Sequence, residues 1–300
     1  MSGSASAPGA TGSAGADEQR RPDLGAMTPR SYLERAGALA DDGIALAEGA
    51  LALSALDHPD RSLAGYLDHL ADLQRSAAAA TSASASVDMQ AAALLEVMTA
   101  THGYSGDSEN YEDMRNADLM TVIDRRCGLP VSLGILYMHA VVGYGGLVVG
   151  LAFPAHFCIR LEARGQRLIL DPFEAVVLSA RDLRARLKER VHQDAEIVPA
   201  HHQSVGARDI LLRLQNNIRV RALRSGDLGR AGEIIERMTL IAPARADLRR
   251  ELALIHARRG EIGKAVGVLE DFLAAPQVSA DVIKELSELI QRLRSATPSA

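Results

Sequence analysis

A chain of 300 residues that is 47% hydrophobic and 24% charged has enough apolar material for about two domains of roughly 150 residues each. Aromatic residues make up 3% and there is no Trp, so the core must be built from Leu, Ala, Val and Ile, a composition that favours helix. The net charge of −5 argues against general nucleic-acid affinity, and no apolar run approaches the roughly 20 residues needed to span a bilayer.

Charge is unevenly placed. His201 to Ala300 carries 16 Lys and Arg against 12 Asp and Glu, leaving the front of the chain acidic. This pattern reads as solvated helix faces rather than a nucleic-acid stripe. Two cysteines, Cys127 and Cys158, make no disulfide framework and fit a reducing compartment. Met1 to Asp23 is rich in Ser, Gly, Ala and Pro without an apolar core, so it does not read as a signal peptide. The expectation is a soluble, cytoplasmic protein with no cofactor.

Residues 1–27 are low-complexity and read as a disordered tail. From Thr28 to Leu56 the pattern is helical, with Thr28-Pro29 as cap and first turn and His58-Pro59-Asp60 as the break. Leu63, Tyr66, Leu67, Leu70 and Leu73 mark a second amphipathic helix. Ser76 to Ser86 reads as a loop or as the end of that helix. A third helix covers Met89 to Met98, His102 to Asn110 is a loop, and Asp118 to Arg125 is a short helix.

Pro130 then opens a helix whose buried stripe is Leu133, Leu136, Tyr137, Ala140 and Val141, ended by Gly143, Gly145 and Gly146. Strands follow at Leu147 to Phe153, His156 to Leu161 and Arg167 to Leu170. Ala163-Arg164-Gly165-Gln166 forms the hairpin turn between the last two. With Arg164-Gly165 at the tip, Asp171 lies opposite Cys158 and diagonal to His156. Diagonal neighbours are roughly 7–8 Å apart at the backbone, within reach of a His–Asp contact. A slip of one residue would turn Asp171 to the other face.

After Asp182 the chain is helical again, with a polar break near His192 to Gln203. Then Arg224-Ser225-Gly226-Asp227-Leu228-Gly229-Arg230-Ala231 is echoed by Arg258-Arg259-Gly260-Glu261-Ile262-Gly263-Lys264-Ala265. Gly226 and Gly260 are 34 residues apart, the tetratricopeptide period. Pro243 and Pro276 end the second helix of each unit. Two units are too few to stand alone, so Val282 to Leu293 is expected to cap one end and the N-terminal domain to cover the other.

His102-Gly103-Tyr104, Asn110-Tyr111, Asn116, Leu119, Val122, Gly128-Leu129-Pro130-Val131-Ser132-Leu133, Leu136-Tyr137, Phe153-Pro154-Ala155-His156-Phe157 and Asp171-Pro172-Phe173 form an ordered series. It resembles the bacterial SirB family, over roughly residues 50 to 275. The family shows Gly where Ala155 stands here. The resemblance implies an α+β chain. A helical region (28–125) would lead into a papain- or transglutaminase-like core of central helix and small antiparallel sheet (126–198), followed by helical tetratricopeptide-like repeats (199–300).

In active members of that superfamily a Cys at the start of the central helix is the nucleophile, a His takes its proton and an Asp orients the His. Cys127, His156 and Asp171 are therefore the catalytic candidates. Helix length, however, puts Pro130 where that Cys would be, and three loop residues can displace a sulfur by up to roughly 10 Å. Catalysis tolerates about 1 Å. Cys127 reads as a relocated nucleophile or as a small residue beneath the helix entry. His156 and Asp171 read equally as catalytic or as a structural pair. Ser132 is an alternative hydroxyl or a helix-entry Ser bonded to nearby backbone, and Cys158 is a core thiol.

Asn116, with Asn110, either fixes loop backbone or lines the groove. Arg213, Arg219, Arg221 and Arg224 either meet an acidic partner or form a solvated basic face. His192, His201 and His202 lack Cys or carboxylate at ligand spacing, so no metal is expected. The functional expectation is a non-catalytic protein-binding or regulatory module with a degenerate Cys-His-Asp site. The alternative is a cysteine-dependent hydrolase or transamidase.

Overall fold

In the computed structural model, which describes residues 21–154, 156–275 and 278–295, the first α-helix is α1 (Pro29–Ala38). Thr28 caps it, its side-chain oxygen accepting from Ser31 N. Most of the tail expected over 1–27 lies outside the described residues. Residues 24–26, however, form a 3-10 turn capped by Asp23, with Leu24 buried. One apolar anchor thus orders the chain earlier than its composition indicates.

The single helix expected from Thr28 to Leu56 is two helices. Leu39 and Ala40 are extended, and α2 (Leu46–Ala55) follows a 3-10 turn at Asp41–Gly43. The break is stabilised from far along the chain. Arg208 donates to the carbonyls of Gly37 (3.1 Å) and Leu39 (2.6 Å) and pairs with Asp41 (3.2 Å). It supplies the partners that the helix end leaves open. Helix α3 (Ala64–Ala80) runs into the Ala- and Ser-rich stretch and ends within it. Ser86 caps α4 (Val87–Glu96), which continues as a π-turn to Thr101.

Inside the expected 102–110 loop lies β1 (Ser105–Gly106), paired in parallel with β2 (Cys127–Gly128). Between them Asp118 caps α5 (Leu119–Arg125), which Arg126 ends in a left-handed conformation (φ 59°). Helix α6 (Pro130–Gly143) is the central helix, with Pro130 through Tyr137 all buried. It packs on α2 and α3 on one side and on the sheet at the other.

The five-stranded antiparallel sheet has the order β6-β5-β4-β3-β7. It comprises β3 (Leu147–Leu151), β4 (Ile159–Ala163), β5 (Gln166–Asp171), β6 (Val176–Leu178) and β7 (Ser204–Val205). Strand β4 begins at Ile159, so His156 stands in the bend before it rather than on the strand. Arg164 (φ 51°) and Gly165 (φ 75°) form the hairpin tip, the two left-handed residues that suit the twist of the flanking strands. Ile159 pairs with Leu170, and that register carries Asp171 opposite Cys158. Helix α7 (Ala180–Arg190) covers the face away from α6. There Leu151, Phe153, Cys158, Leu183 and Leu187 form a separate cluster.

The repeat region contains α8 (Ala207–Arg224), α9 (Leu228–Ile241), α10 (Ala246–Arg258), α11 (Ile262–Leu273) and α12 (Ala280–Ser295). Gly226 (φ 78°) and Gly260 (φ 77°) make the same turn in both units. Pro276 lies outside the described residues. Helix α1 packs on α9 and α2 on α8, and one hydrophobic cluster runs from Leu24 to Ile255 through both halves of the chain.

Candidate functional site

Alternation along β4 and β5 sorts the side chains around the candidate pair. Phe157, Ile159 and Leu170 join the core beneath α6, and Gly134 of α6 leaves only enough space for Phe157 and Pro172 against it. Asp171, between Leu170 and Pro172, turns instead towards α7. Arg186 Nη1 lies 2.7 Å from Asp171 Oδ2, and His156 Nε2 lies 2.9 Å from the same oxygen. Both contacts lie off the hydrogen-bonding direction. Within the described residues His156 Nδ1 likewise has no hydrogen-bond partner. The other carboxylate oxygen, Oδ1, accepts from Phe173 N (2.9 Å) and Glu174 N (3.3 Å), fixing the turn after β5.

The side chains of His156 and Asp171 expose no surface (0% each). Burial works against the Asp171 charge, but His156 and Arg186 outweigh it and hold the carboxyl below its ordinary range. Asp171 thus lies against both the Arg186 guanidinium and the His156 ring, while its other oxygen holds the turn. Tyr137 of α6 is buried with its hydroxyl unpartnered among the described residues. Burial first, and Asp171 second, push that phenol upwards.

Cys127 is half-buried on β2. Ser105 N donates to Arg126 O (2.9 Å), Asp107 N to Gly128 O (3.2 Å) and Leu129 N to Asn116 O (3.1 Å), so the backbone around the thiol is held on three sides. Among the described residues no hydrogen bond links Cys127 to His156. Pro130 occupies the first position of α6. Ser132 is buried, and its hydroxyl faces the carbonyls of Asn116 (2.7 Å) and Leu129 (3.0 Å). These are the local backbone contacts expected of a helix-entry Ser.

Asn116 is fully buried. Its Nδ2 donates to Asn110 O (2.8 Å), and Arg125 donates to its Oδ1 (2.9 Å) while pairing with Asp107 (2.8 Å). These bonds tie the 107–116 loop to Arg125. Of Arg213, Arg219, Arg221 and Arg224 on α8, the first three have partners within the protein or a ring face against them, and Arg224 is exposed, 3.9 Å from Glu112. Arg219 pairs with Glu251 of α10 and donates to Asn216 Oδ1 (3.0 Å). Arg221 donates to the carbonyls of Tyr111 (2.9 Å) and Glu112 (3.0 Å). Arg213 stacks over Phe157, 5.5 Å from the ring centroid, with a long bond to Phe153 O (3.5 Å). Sequence reading missed Arg186, whose role depends on how α7 folds back over the sheet.

A buried central helix against a small antiparallel sheet, with a His before one strand and an Asp ending the next, defines a transglutaminase-like protein, here joined to a helical repeat. The chain belongs to the transglutaminase-like superfamily, whose family profile matches residues 64–216. A tetratricopeptide repeat profile matches residues 218–291. The chain is similar to the UPF0162 protein of Vibrio cholerae, 36% identical over 165 residues (55% of this chain, 61% of the relative). It is 29% identical over 180 residues to that of Xylella fastidiosa (57% and 62%) and 29% identical over 240 residues to that of Pseudomonas aeruginosa (78% and 88%). The chain spans about three fifths of the length of the Vibrio and Xylella relatives. No solved structure matches it. No helix among the described residues is long and apolar enough to cross a membrane.

Proposed function

We propose that this chain is a SirB-type, non-catalytic protein-binding or regulatory module whose Cys127-His156-Asp171 centre is degenerate. The observation that carries the reading is the enclosure of His156 and Asp171, both at 0% side-chain exposure, with Arg186 sharing the oxygen that faces the imidazole. A general base must reach the proton it abstracts. Pro130 on the first turn of α6 also supports the reading, because it offers no nucleophile where the helix dipole would activate one. A repeat of the class that presents peptide-binding surfaces supplies the binding function. Cys127 and Cys158 are not joined in a disulfide, which accords with a reducing, cytoplasmic setting.

Graded-pH alkylation with iodoacetamide tests the centre. Cys127 should alkylate no faster than a free thiol such as glutathione at each pH. A thiol already reactive well below neutral pH, returning to ordinary behaviour in His156→Ala, overturns the non-catalytic reading. Affinity capture with the intact chain tests the binding role. A partner should be lost when α10 and α11 surface residues are changed, and the absence of any such partner removes that role.

A further inference from the structure

A guanidinium that leaves water needs an acceptor, because the desolvation of its charge is otherwise uncompensated. Arg208, Arg219 and Arg221 on α8 meet this need with Asp41, Glu251 and Glu112. Arg213, on the same helix, has no carboxylate partner among the described residues. It is half-buried, and burial pushes its pKa down. Among the described residues it makes the long bond from Nη1 to Phe153 O and lies over the face of Phe157.

Those contacts orient the group. The guanidinium carbon lies over the Phe157 ring, 5.5 Å from its centroid, and Nη1 is directed to the Phe153 carbonyl. The remaining edge, Nε and Nη2, has two parallel donors and, among the described residues, no acceptor. Such an edge matches the two oxygens of one carboxylate. Phe153 and Phe157 bracket the bend that carries His156, while the Tyr111 phenol lies close enough to act on the Arg213 charge. Tyr111 in turn packs edge-on against Phe173, two residues beyond Asp171. The unpaired cation therefore lies between the Tyr111 loop and the His156 bend. Arg221, the other cation at Tyr111, is already paired with Glu112. One uncompensated positive charge fits a monoanion better than a doubly charged phosphate.

We propose that Arg213 is the carboxylate-recognition residue of this module, its free guanidinium edge receiving a carboxylate group of a bound peptide. The inference rests on the protein-binding reading and gives it a ligand chemistry. The source of the carboxylate is a chain terminus or an acidic side chain.

The test is a titration of the full-length 15N-labelled chain, following the Arg213 Nε–Hε resonance, identified by its absence in Arg213→Lys. The probes are N-acetyl tetra-alanine with a free C-terminal carboxylate, its C-terminal amide, the amide bearing one internal glutamate, and inorganic phosphate. At least one carboxylate probe should shift the resonance saturably and the plain amide should not; which of the two acts identifies the source. Arg213→Gln should weaken that probe by about tenfold or more. Three results overturn the proposal: no saturable shift with either carboxylate, stronger binding of phosphate, or unchanged affinity in Arg213→Gln. If Arg213→Gln does not fold, the wild-type resonance still decides. A protein partner retained in full by a folded Arg213→Gln variant also overturns the carboxylate site while leaving protein binding intact.

Discussion

Gly37 of α1 packs directly on the backbone carbonyl of Leu240 near the end of α9, with no space for a Cβ between them. The N-terminal helix and the first repeat therefore meet at backbone distance. Gly37→Ala should destabilise the protein by about 1–3 kcal/mol, because a backbone carbonyl cannot rotate away as a side chain can. Urea unfolding measures it; an unchanged midpoint would show that α1 and α9 separate at little cost.

Asp57, just beyond α2, receives two bonds each from Arg230 and Arg237 of α9, between 2.5 and 2.7 Å. Burial opposes the Asp57 charge, but the two arginines hold its carboxyl far below the ordinary range. Asp57→Ala leaves two half-buried guanidinium groups facing each other and should cost about 2–4 kcal/mol. A double-mutant cycle with Arg237→Ala should give a coupling of about 1 kcal/mol or more, and a coupling near zero would sink the assignment.

Asp171 serves His156, Arg186 and two backbone amides at once. Asp171→Ala should therefore destabilise by about 3 kcal/mol. Asp171→Asn keeps an acceptor for the turn and should cost visibly less. Equal losses in the two variants, read from denaturant midpoints, would mean that the charge rather than the turn dominates.

His69 sits beside Arg126 and Tyr104, with Nε2 2.6 Å from Arg126 Nη1 and 2.7 Å from the Tyr104 oxygen. Burial first, and Arg126 second, lower its pKa to about 4. The unfolded value is about 6.5, so between the two values the unfolded chain binds a proton that the folded chain refuses. This contribution is complete above about pH 6.5 and is lost as pH falls towards 4. Its size is on the order of 1–3 kcal/mol, given that the ring keeps some access to solvent. His69→Gln should flatten the fall in stability over that window; a slope identical to wild type contradicts it.

Ala175, in the turn from β5 to β6, is held at φ 54°. An L-residue pays roughly 1–2 kcal/mol there, part of which glycine returns through its freer unfolded state. Ala175→Gly should raise stability by about 0.5 kcal/mol, measurable as a small rise in melting temperature.

The parts of this fold that were legible in the sequence are those whose signal is local. The α6 stripe has helical spacing, Arg164-Gly165 is a hairpin tip by its chemistry, and Gly226 and Gly260 repeat the same left-handed turn. What escaped depends on distant partners. The break at Leu39 is held by Arg208, β1 and β2 are two-residue strands with no periodicity of their own, and β6 and β7 are short edges. At the site, the hairpin register placed Asp171 within reach of His156 in advance. It did not reveal Arg186 on the same oxygen, nor that Ser132 faces Asn116.

Arg208 also donates to the Ile241 carbonyl, so one guanidinium closes the ends of both α1 and α9. With α1 on α9 and α2 on α8, the ground that a preceding repeat would stack upon is already taken. The solenoid has a polarity: one face is sealed by a foreign pair of helices, and any further unit has only the α12 side on which to propagate.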